Sequence, residues 1–304
     1  MINHFKKLLR NYTKDAHLRV ALADISFKFP LSCKYPNLSV RIEGFGLINP
    51  LEGRTVATLP EIYLALYLDA ELEYHDAVVI EDYILPNEVE PLNNENYYVF
   101  RTHLRKLYEL RKEAKKGDKE LLQQLYKTYS NGLYGKVSQG ISERTMFNTK
   151  EGTTKRLPKS DITNSYYASM ITGLIRAALS ELLVAINELI EEGHPYKIIS
   201  ATTDGLLYGI DENKVSIEEV INSIHPSYTY NTIFDALNDG YKRFNSFESV
   251  DPILSKRLEH FPSLQLLKLS HESWDDPEYI EIKHVANKVL NIKTRGQVGF
   301  YEER

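Results

Sequence analysis

The chain has 304 residues, 42% of them hydrophobic and 26% charged, the composition of a globular protein with a sizeable core, which excludes a disordered or fibrous one. Its formal net charge of −5 excludes a surface coated throughout in basic residues, so any surface for an anionic polymer has to be local. Cys33 is the single cysteine, which excludes an intramolecular disulfide and fits a reducing compartment. The opening MINHFKKLLRNYTKD lacks an apolar run of signal-peptide length, and no segment reads as a membrane span, so the expectation is a soluble, intracellular, cytoplasmic protein.

No repeat or low-complexity linker divides the chain, and length alone allows one large domain or two ordinary ones. Residues 18–29 (LRVALADISFKF) alternate apolar and polar side chains up to Pro30 and read as a strand. Turn-rich segments follow. The run TLPEIYLALYLDAELEYHDAVVIEDYIL opens as a short helix with Pro60 in its first turn and continues as a strand from about Glu71 to Ile84. From Tyr97 to Lys136 the pattern is helical and basic, ten Lys/Arg against four acids for a net +6, and Gly117 with Asp118 falls between two helical stretches, which predicts a helical hairpin. Residues 137–160 read as loop or short strands. A long, mostly core helix follows, with Asp161 or Thr163 as its N-cap, an apolar period from Tyr167 to Ile190, and Gly193 and Pro195 as its stop. YKIISATTDGLLYGID then reads as strand, tight turn and strand, with Asp204 and Gly205 at the bend. YIEIKHVANKVLNIKTRGQ reads as a second strand-like pair, and the mixture throughout is that of an α+β fold.

Two strings carry chemistry. In KTYSNGLYGK, Lys127–Lys136, helical spacing turns Lys127 away from the face carrying Leu122, Leu125 and Tyr129 and leaves its amine free for an anion; the bland alternative is a solvated lysine before an Asn-Gly turn. It resembles the fingers motif of family B DNA polymerases, a Lys, three residues, Asn, a small residue, any residue, Tyr and Gly, supplied here by Lys127, Asn131, Gly132, Leu133, Tyr134 and Gly135. SATTDGLLYG, residues 200–209, resembles the palm hairpin of that family, usually YxDTDS, with Thr202 in place of the first acid, Thr203 matching Thr, Asp204 matching the second acid and Gly205 in place of Ser. Taken alone, Asp-Gly in a hairpin is more often only a turn. The order of the strings and the 77 positions between Lys127 and Asp204, filled by a long apolar helix, are similar to those of the protein-primed, phage-like branch. RKEAKK, Arg111–Lys116, resembles the partner helix of the fingers, with Arg111 or Lys112 as the residue facing the triphosphate; a solvated charged face is the bland alternative. KTRG, Lys293–Gly296, resembles the KxY element near the primer terminus, with Arg295 where Tyr is expected.

The resemblance implies a polymerase palm, an antiparallel sheet backed by helices, with a helical-hairpin fingers insertion: residues 1–96 as the first palm part with a connecting insertion, 97–136 as fingers, and 137–304 as palm with the catalytic hairpin and the start of the thumb. It implies nucleotidyl transfer from dNTPs to a primer 3′-hydroxyl on a DNA template. Asp204 holds Mg²⁺ in a two-metal site, and Lys127 carries catalytic charge. Asn131, Tyr134, Arg111 and Lys112 join Lys127 around the dNTP, while Gly135, Lys136, Lys293 and Arg295 meet the DNA. The first palm motif is missing: its nearest string, DISFKFP with Asp24 and Pro30, has Phe27 in place of Ser and Lys28 intruding, and reads as a continuing strand. The expectation is therefore a truncated or split core, inactive or nearly so by itself, whose second carboxylate and exonuclease lie upstream and most of whose thumb lies downstream. A complementing polymerase fragment and a terminal-protein primer are the implied partners, from a phage or mobile element. The competing reading is a degenerate, non-catalytic nucleic-acid or nucleotide-binding module. A structural protein requires every motif to be coincidence, and a reverse transcriptase requires adjacent acids where this chain has Thr203 and Asp204.

Overall fold

The computed structural model describes residues 1–12, 20–80, 100–141, 144–202, 205–210, 252–272, 280, 288–293 and 296–300. Helices and antiparallel strands mix in an α+β fold made of two compact units interleaved along the chain. One unit comprises Met1–Lys28, Glu52–Tyr63 and Glu71–Leu174; the other comprises Phe29–Leu51, Leu64–Ala70 and Ile175–Arg304.

The first unit is built on β1 (Val20–Lys28), the central strand of a three-stranded antiparallel sheet between β4 (Glu52–Thr58) and β5 (Glu71–Ile80). Its period of two buries Ala21, Ala23, Ile25 and Phe27 on one face and leaves Asp24 and Ser26 on the other. Helix α1 (Ile2–Asn11), not anticipated from the sequence, buries Phe5 and Leu9, one turn apart, and sets Phe5 against Tyr74 with ring centroids 6.0 Å apart. Helix α2 (Leu59–Tyr67) starts with a capping box in which the Thr58 amide and hydroxyl both donate to Glu61 Oε2, at 2.9 and 2.6 Å. The basic segment forms the expected helical hairpin, α3 (Arg101–Lys116) and α4 (Glu120–Val137), followed by a ribbon of β6 (Thr145–Asn148) and β7 (Thr153–Arg156).

The long helix, α5 (Ser165–Glu191), is capped by Asn164 rather than by Asp161 or Thr163: Asn164 Oδ1 accepts from the amides of Tyr166 and Tyr167, at 3.0 and 3.1 Å. It ends as anticipated at Gly193, whose φ of +90° a side chain would strain, with the His194 amide returning to the Leu189 carbonyl at 2.9 Å. Contrary to the sequence expectation, α5 is long and apolar enough to cross a membrane by length and composition, but 44% of its most apolar window is buried in the protein. Ile171 and Ile175, expected in its core stripe, are exposed. At Gly173 the helix touches the α2 capping box: an added Cβ would lie 2.5 Å from Thr58 Cγ2 and 2.9 Å from Glu61 Oε2.

The second unit holds a small hairpin of β2 (Val40–Ile42) and β3 (Gly46–Ile48), the second half of α5, and the predicted hairpin of β8 (Tyr196–Ala201) and β9 (Leu206–Ile210). Two helices, α6 (Pro252–Leu258) and α7 (Pro262–Glu272), complete it with an antiparallel pair, β10 (Lys288–Lys293) and β11 (Gly296–Phe300), which realises the final strand-like pair in part. Ala178, Val184, Ile186 and Leu189 of α5 pack with Tyr196, Leu254, Leu258, Phe261 and Leu264 in its core. Within that core Glu181 is fully buried, and its two oxygens accept the amides of Ser263 and Leu264 at 3.0 and 2.8 Å. These are orphan N–H groups of the first turn of α7, so a side chain from another helix serves as its N-cap. Burial pushes the Glu181 carboxyl up to about 7, against hydrogen bonds from Ser263 and Leu264 that favour its charged form.

Two outcomes follow from these contacts. Gly173→Ala relieves a helix-interior glycine, worth about 1 kcal/mol, but overpacks the capping box at a cost of about 1–3 kcal/mol, so chemical denaturation will show a net loss of stability. For Glu181, a folded-state value near 7 above the ordinary 4.5 means that its contribution is fully present below pH 4.5 and is lost as pH rises towards 7. That loss is on the order of 3 kcal/mol for such a shift. The stability difference between wild type and Glu181→Gln, measured by denaturant titration across pH 4.5–7, will therefore slope with pH and flatten above the upper value; a difference independent of pH would show that Glu181 does not titrate there.

Candidate functional site

The helical hairpin turns at Gly117–Lys119, and it is Asp118, with φ +51°, that takes the left-handed conformation, while Gly117 has φ −90°. Arg111 and Leu125 each stand seven residues from Asp118, so in an antiparallel hairpin they sit at one height, with Lys127 about 3 Å farther along the axis. On α4, Lys127, Asn131 and Tyr134 recur at i, i+4 and i+7 and share one stripe, and all three are exposed. Lys127 has no hydrogen-bond or ion-pair partner among the described residues.

The packing face of α4 differs from the expected one. Leu122, Leu125 and Tyr129 are exposed, Tyr129 by 59%, whereas Tyr126, Ser130, Leu133 and Val137 are the sheltered positions. Lys127 still lies about a quarter-turn from the sheltered face, so its exposure follows although the apolar residues chosen to argue it were the wrong ones. Arg111 is exposed but shares its helical stripe with buried Leu107 and Ala114, while Lys112 reaches back 5.8 Å from the ring centre of Tyr108. Lys136 is exposed and donates to Gln139 Oε1 at 2.9 Å. A Cβ placed on Gly132 or Gly135 would meet no atom within 4 Å among the described residues. Each costs α4 about 1 kcal/mol relative to alanine, and packing gives no return for either.

The end of α4 is fastened by a segment that sequence reasoning passed over. Ser160, Thr163 and Asn164 donate to the carbonyls of Lys136, Gln139 and Val137, at 2.6, 2.9 and 2.9 Å. The sequence signal was only a Ser, a Thr and an Asn in the five residues before a long helix, which served there as a search for one cap.

In the second unit, β8 and β9 pair in register from Tyr196–Ile210 to Ala201–Leu206, and the turn closes with the Thr202 amide and hydroxyl both donating to the Gly205 carbonyl, at 2.8 and 3.1 Å. Asp204 and Thr203 lie outside the described residues, as does Arg295; Lys293 ends β10, paired with Gly296. Asp24 sits inside β1, where Arg54 Nε and Nη2 hold both its oxygens at 3.0 and 2.7 Å. The guanidinium keeps the Asp24 carboxyl below its ordinary value, and the acid is committed to that pair. No group of three acidic, histidine or cysteine residues able to hold a metal occurs among the described residues.

No solved structure matches the chain. The primer-independent DNA polymerase PolB of Escherichia coli is 35% identical over 204 residues, which are 67% of this chain and 22% of that polymerase, so the chain spans about a fifth of this relative. The family model for DNA polymerase type B, organellar and viral, matches residues 17–219 and so includes the sheet, the helical hairpin with Lys127, and the β8–β9 hairpin that carries Asp204. The chain belongs to the organellar and viral type B DNA polymerases.

Proposed function

We propose that the chain serves as palm and fingers in template-directed DNA synthesis, adding deoxynucleotides to a primer 3′-hydroxyl. The observation that carries this reading is the exposed stripe of Lys127, Asn131 and Tyr134 on a helix that also holds two glycines without a packing reason. Lys127, with Arg111 or Lys112 from α3, meets the phosphates of the dNTP; Asn131 and Tyr134 lie beside its sugar and base; Gly132 and Gly135 let the α4 backbone approach substrate and template closely. Lys136, Lys293 and Arg295 contact DNA phosphates and set register without reading sequence.

Asp204 is the acid for Mg²⁺, since it falls between Thr202 and Gly205, which bond to each other at the end of the β8–β9 pair, and a carboxylate is the right donor. Bound magnesium would neutralise phosphate charge and lower the pKa of the primer hydroxyl. The second carboxylate is an acid other than Asp24, which is bound to Arg54. Palm corresponds to 1–96 and 137–304 and fingers to 97–136, in a core working inside the cell on DNA primer–template, with a complementing fragment and a terminal-protein primer as candidate partners. One observation favours a degenerate binding module: Thr202, at the place of the family's first acid, spends its hydroxyl on the turn.

The test is a chimera in which this chain replaces the matched segment of the Escherichia coli relative, assayed by primer extension with Mg²⁺ beside the 304-residue chain alone. The chimera will extend primers and the chain alone will not. Asp204→Asn will abolish extension, and Lys127→Ala will lower kcat/KM for dNTP by about 10²–10³-fold. Gly132→Ala and Gly135→Ala will each stabilise the fold by about 1 kcal/mol while lowering extension, a divergence that a purely structural α4 would not give. A folded chimera that binds primer–template and extends nothing would establish the binding-module reading instead. Extension by the isolated chain would place the second carboxylate within it.

A further inference from the structure

We infer that Ser160 and Thr163 are positioning residues for nucleotide binding, a hydroxyl latch that sets the angle at which α4 carries Lys127; this rests on the proposed role of Lys127. Four short bonds gather between residues 136–139 and 158–164, with a fifth, longer one from Thr163 Oγ1 to the Lys136 carbonyl at 3.5 Å. Ser160 Oγ donates to the Lys136 carbonyl at 2.6 Å, and Thr163 Oγ1 donates to the Gln139 carbonyl at 2.9 Å. The Asn164 amide donates to the Val137 carbonyl at 2.9 Å, and Gln139 Nε2 donates to the Pro158 carbonyl at 2.8 Å. Thr163 Oγ1 also accepts the Ser160 amide at 2.8 Å, so the latch segment is braced on itself.

The carbonyls at Val137 and Gln139 lie at the end of a helix, where water would satisfy them in an exposed end, and that of Lys136 accepts the Gln139 amide at 3.3 Å besides the latch hydroxyl. Here they are met by groups whose own place is fixed. Asn164 caps α5 through its Oδ1, so one residue ties the end of α4 to the start of α5. The backbone approach is equally close: a Cβ on Gly140, at φ +71°, would lie 2.7 Å from the Lys159 nitrogen and 2.9 Å from the Pro158 carbonyl carbon. The remainder of α4 stands away from this anchor. Lys127 is ten residues from Val137, about 15 Å along the axis, so a tilt of about 10° at the latch would carry its Cα by roughly 2.5 Å.

Hydroxyl-to-carbonyl bonds each contribute little to stability, so removing them will leave the protein folded and change the angle. The structural readout is the distance between spin labels at Leu121 and Tyr166, both exposed, in the full chain with Cys33→Ser. Ser160→Ala with Thr163→Val will broaden or shift that distance by several ångströms, about what a 10° tilt gives some 24 Å from the pivot; Thr163→Ser, which keeps the hydroxyl, will not. In the chimera, the double substitution will raise KM for dNTP about tenfold with kcat little changed, and will do almost nothing further once Lys127→Ala is present. An unchanged label distance overturns the latch whatever the activity. A shifted distance with equal losses in the presence and absence of Lys127 overturns its action through Lys127. If Lys127→Ala itself leaves KM and kcat unaltered, it is the phosphate role of Lys127 that fails, while the label distance still decides whether the latch exists.

Discussion

The second unit depends on a carboxylate held out of water. Moving an ionised carboxyl into a protein interior costs several kcal/mol even after relaxation, and Glu181 is accommodated because the first turn of α7 offers it two amides that have no other acceptor. Phe261, the residue before that helix, cannot cap it, and Pro262 opens the helix without an amide of its own. The exchange fixes where α7 meets α5 within one turn. Around that point Leu254, Leu258, Phe261 and Leu264 close onto Ala178, Val184 and Ile186, and the same core carries Tyr196, with Ile198, Leu206 and Tyr208 partly buried against it. The β8–β9 hairpin therefore rests on a floor where the Glu181 side chain ties the first turn of α7 to α5.

In the first unit the constraint is different in kind. The sheet is held by alternation and by the Asp24–Arg54 pair, and α5 crosses the capping box of α2 at a glycine because no side chain fits there. The helical hairpin has no such burial at its outer end. α4 instead shelters a narrow face and fastens its last turn, leaving Lys127, Asn131 and Tyr134 on an exposed stripe. A helix gripped at one end and exposed along its length suits a part that must meet a substrate, since desolvation and ordering of its charged groups are deferred until the substrate is present.

The legible parts of the fold were those governed by local periodicity. The strand at 18–29, the helix after Pro60, the hairpin around Gly117 and Asp118, the long helix and the strand pair around Asp204 all carry a period of two or 3.6 with glycine or proline at their ends. What could not be read was tertiary. Leu122, Leu125 and Tyr129 look like a packing face by composition, but the position of α3 selects Tyr126, Leu133 and Val137 instead. Glu181 looks like a solvated acid interrupting an apolar stripe, because the amides that hold it lie 82 and 83 residues away in sequence. Thr163 was, with Asp161, a candidate cap, and only the distances of Ser160 and Thr163 to the end of α4 reveal their use there. Within the site, the chain order of motifs was visible while the device that aims one of them was not.

Charge distribution links these levels. The whole chain carries −5 although residues 97–136 carry +6, so the remaining residues together carry −11. An anionic polymer or triphosphate is repelled by most of this sequence and attracted by one short stretch of it, and the attraction falls off over a Debye length of about 8 Å at physiological salt. Such a contrast steers encounters towards the helical hairpin, and overall composition hides it because net charge reports only the balance.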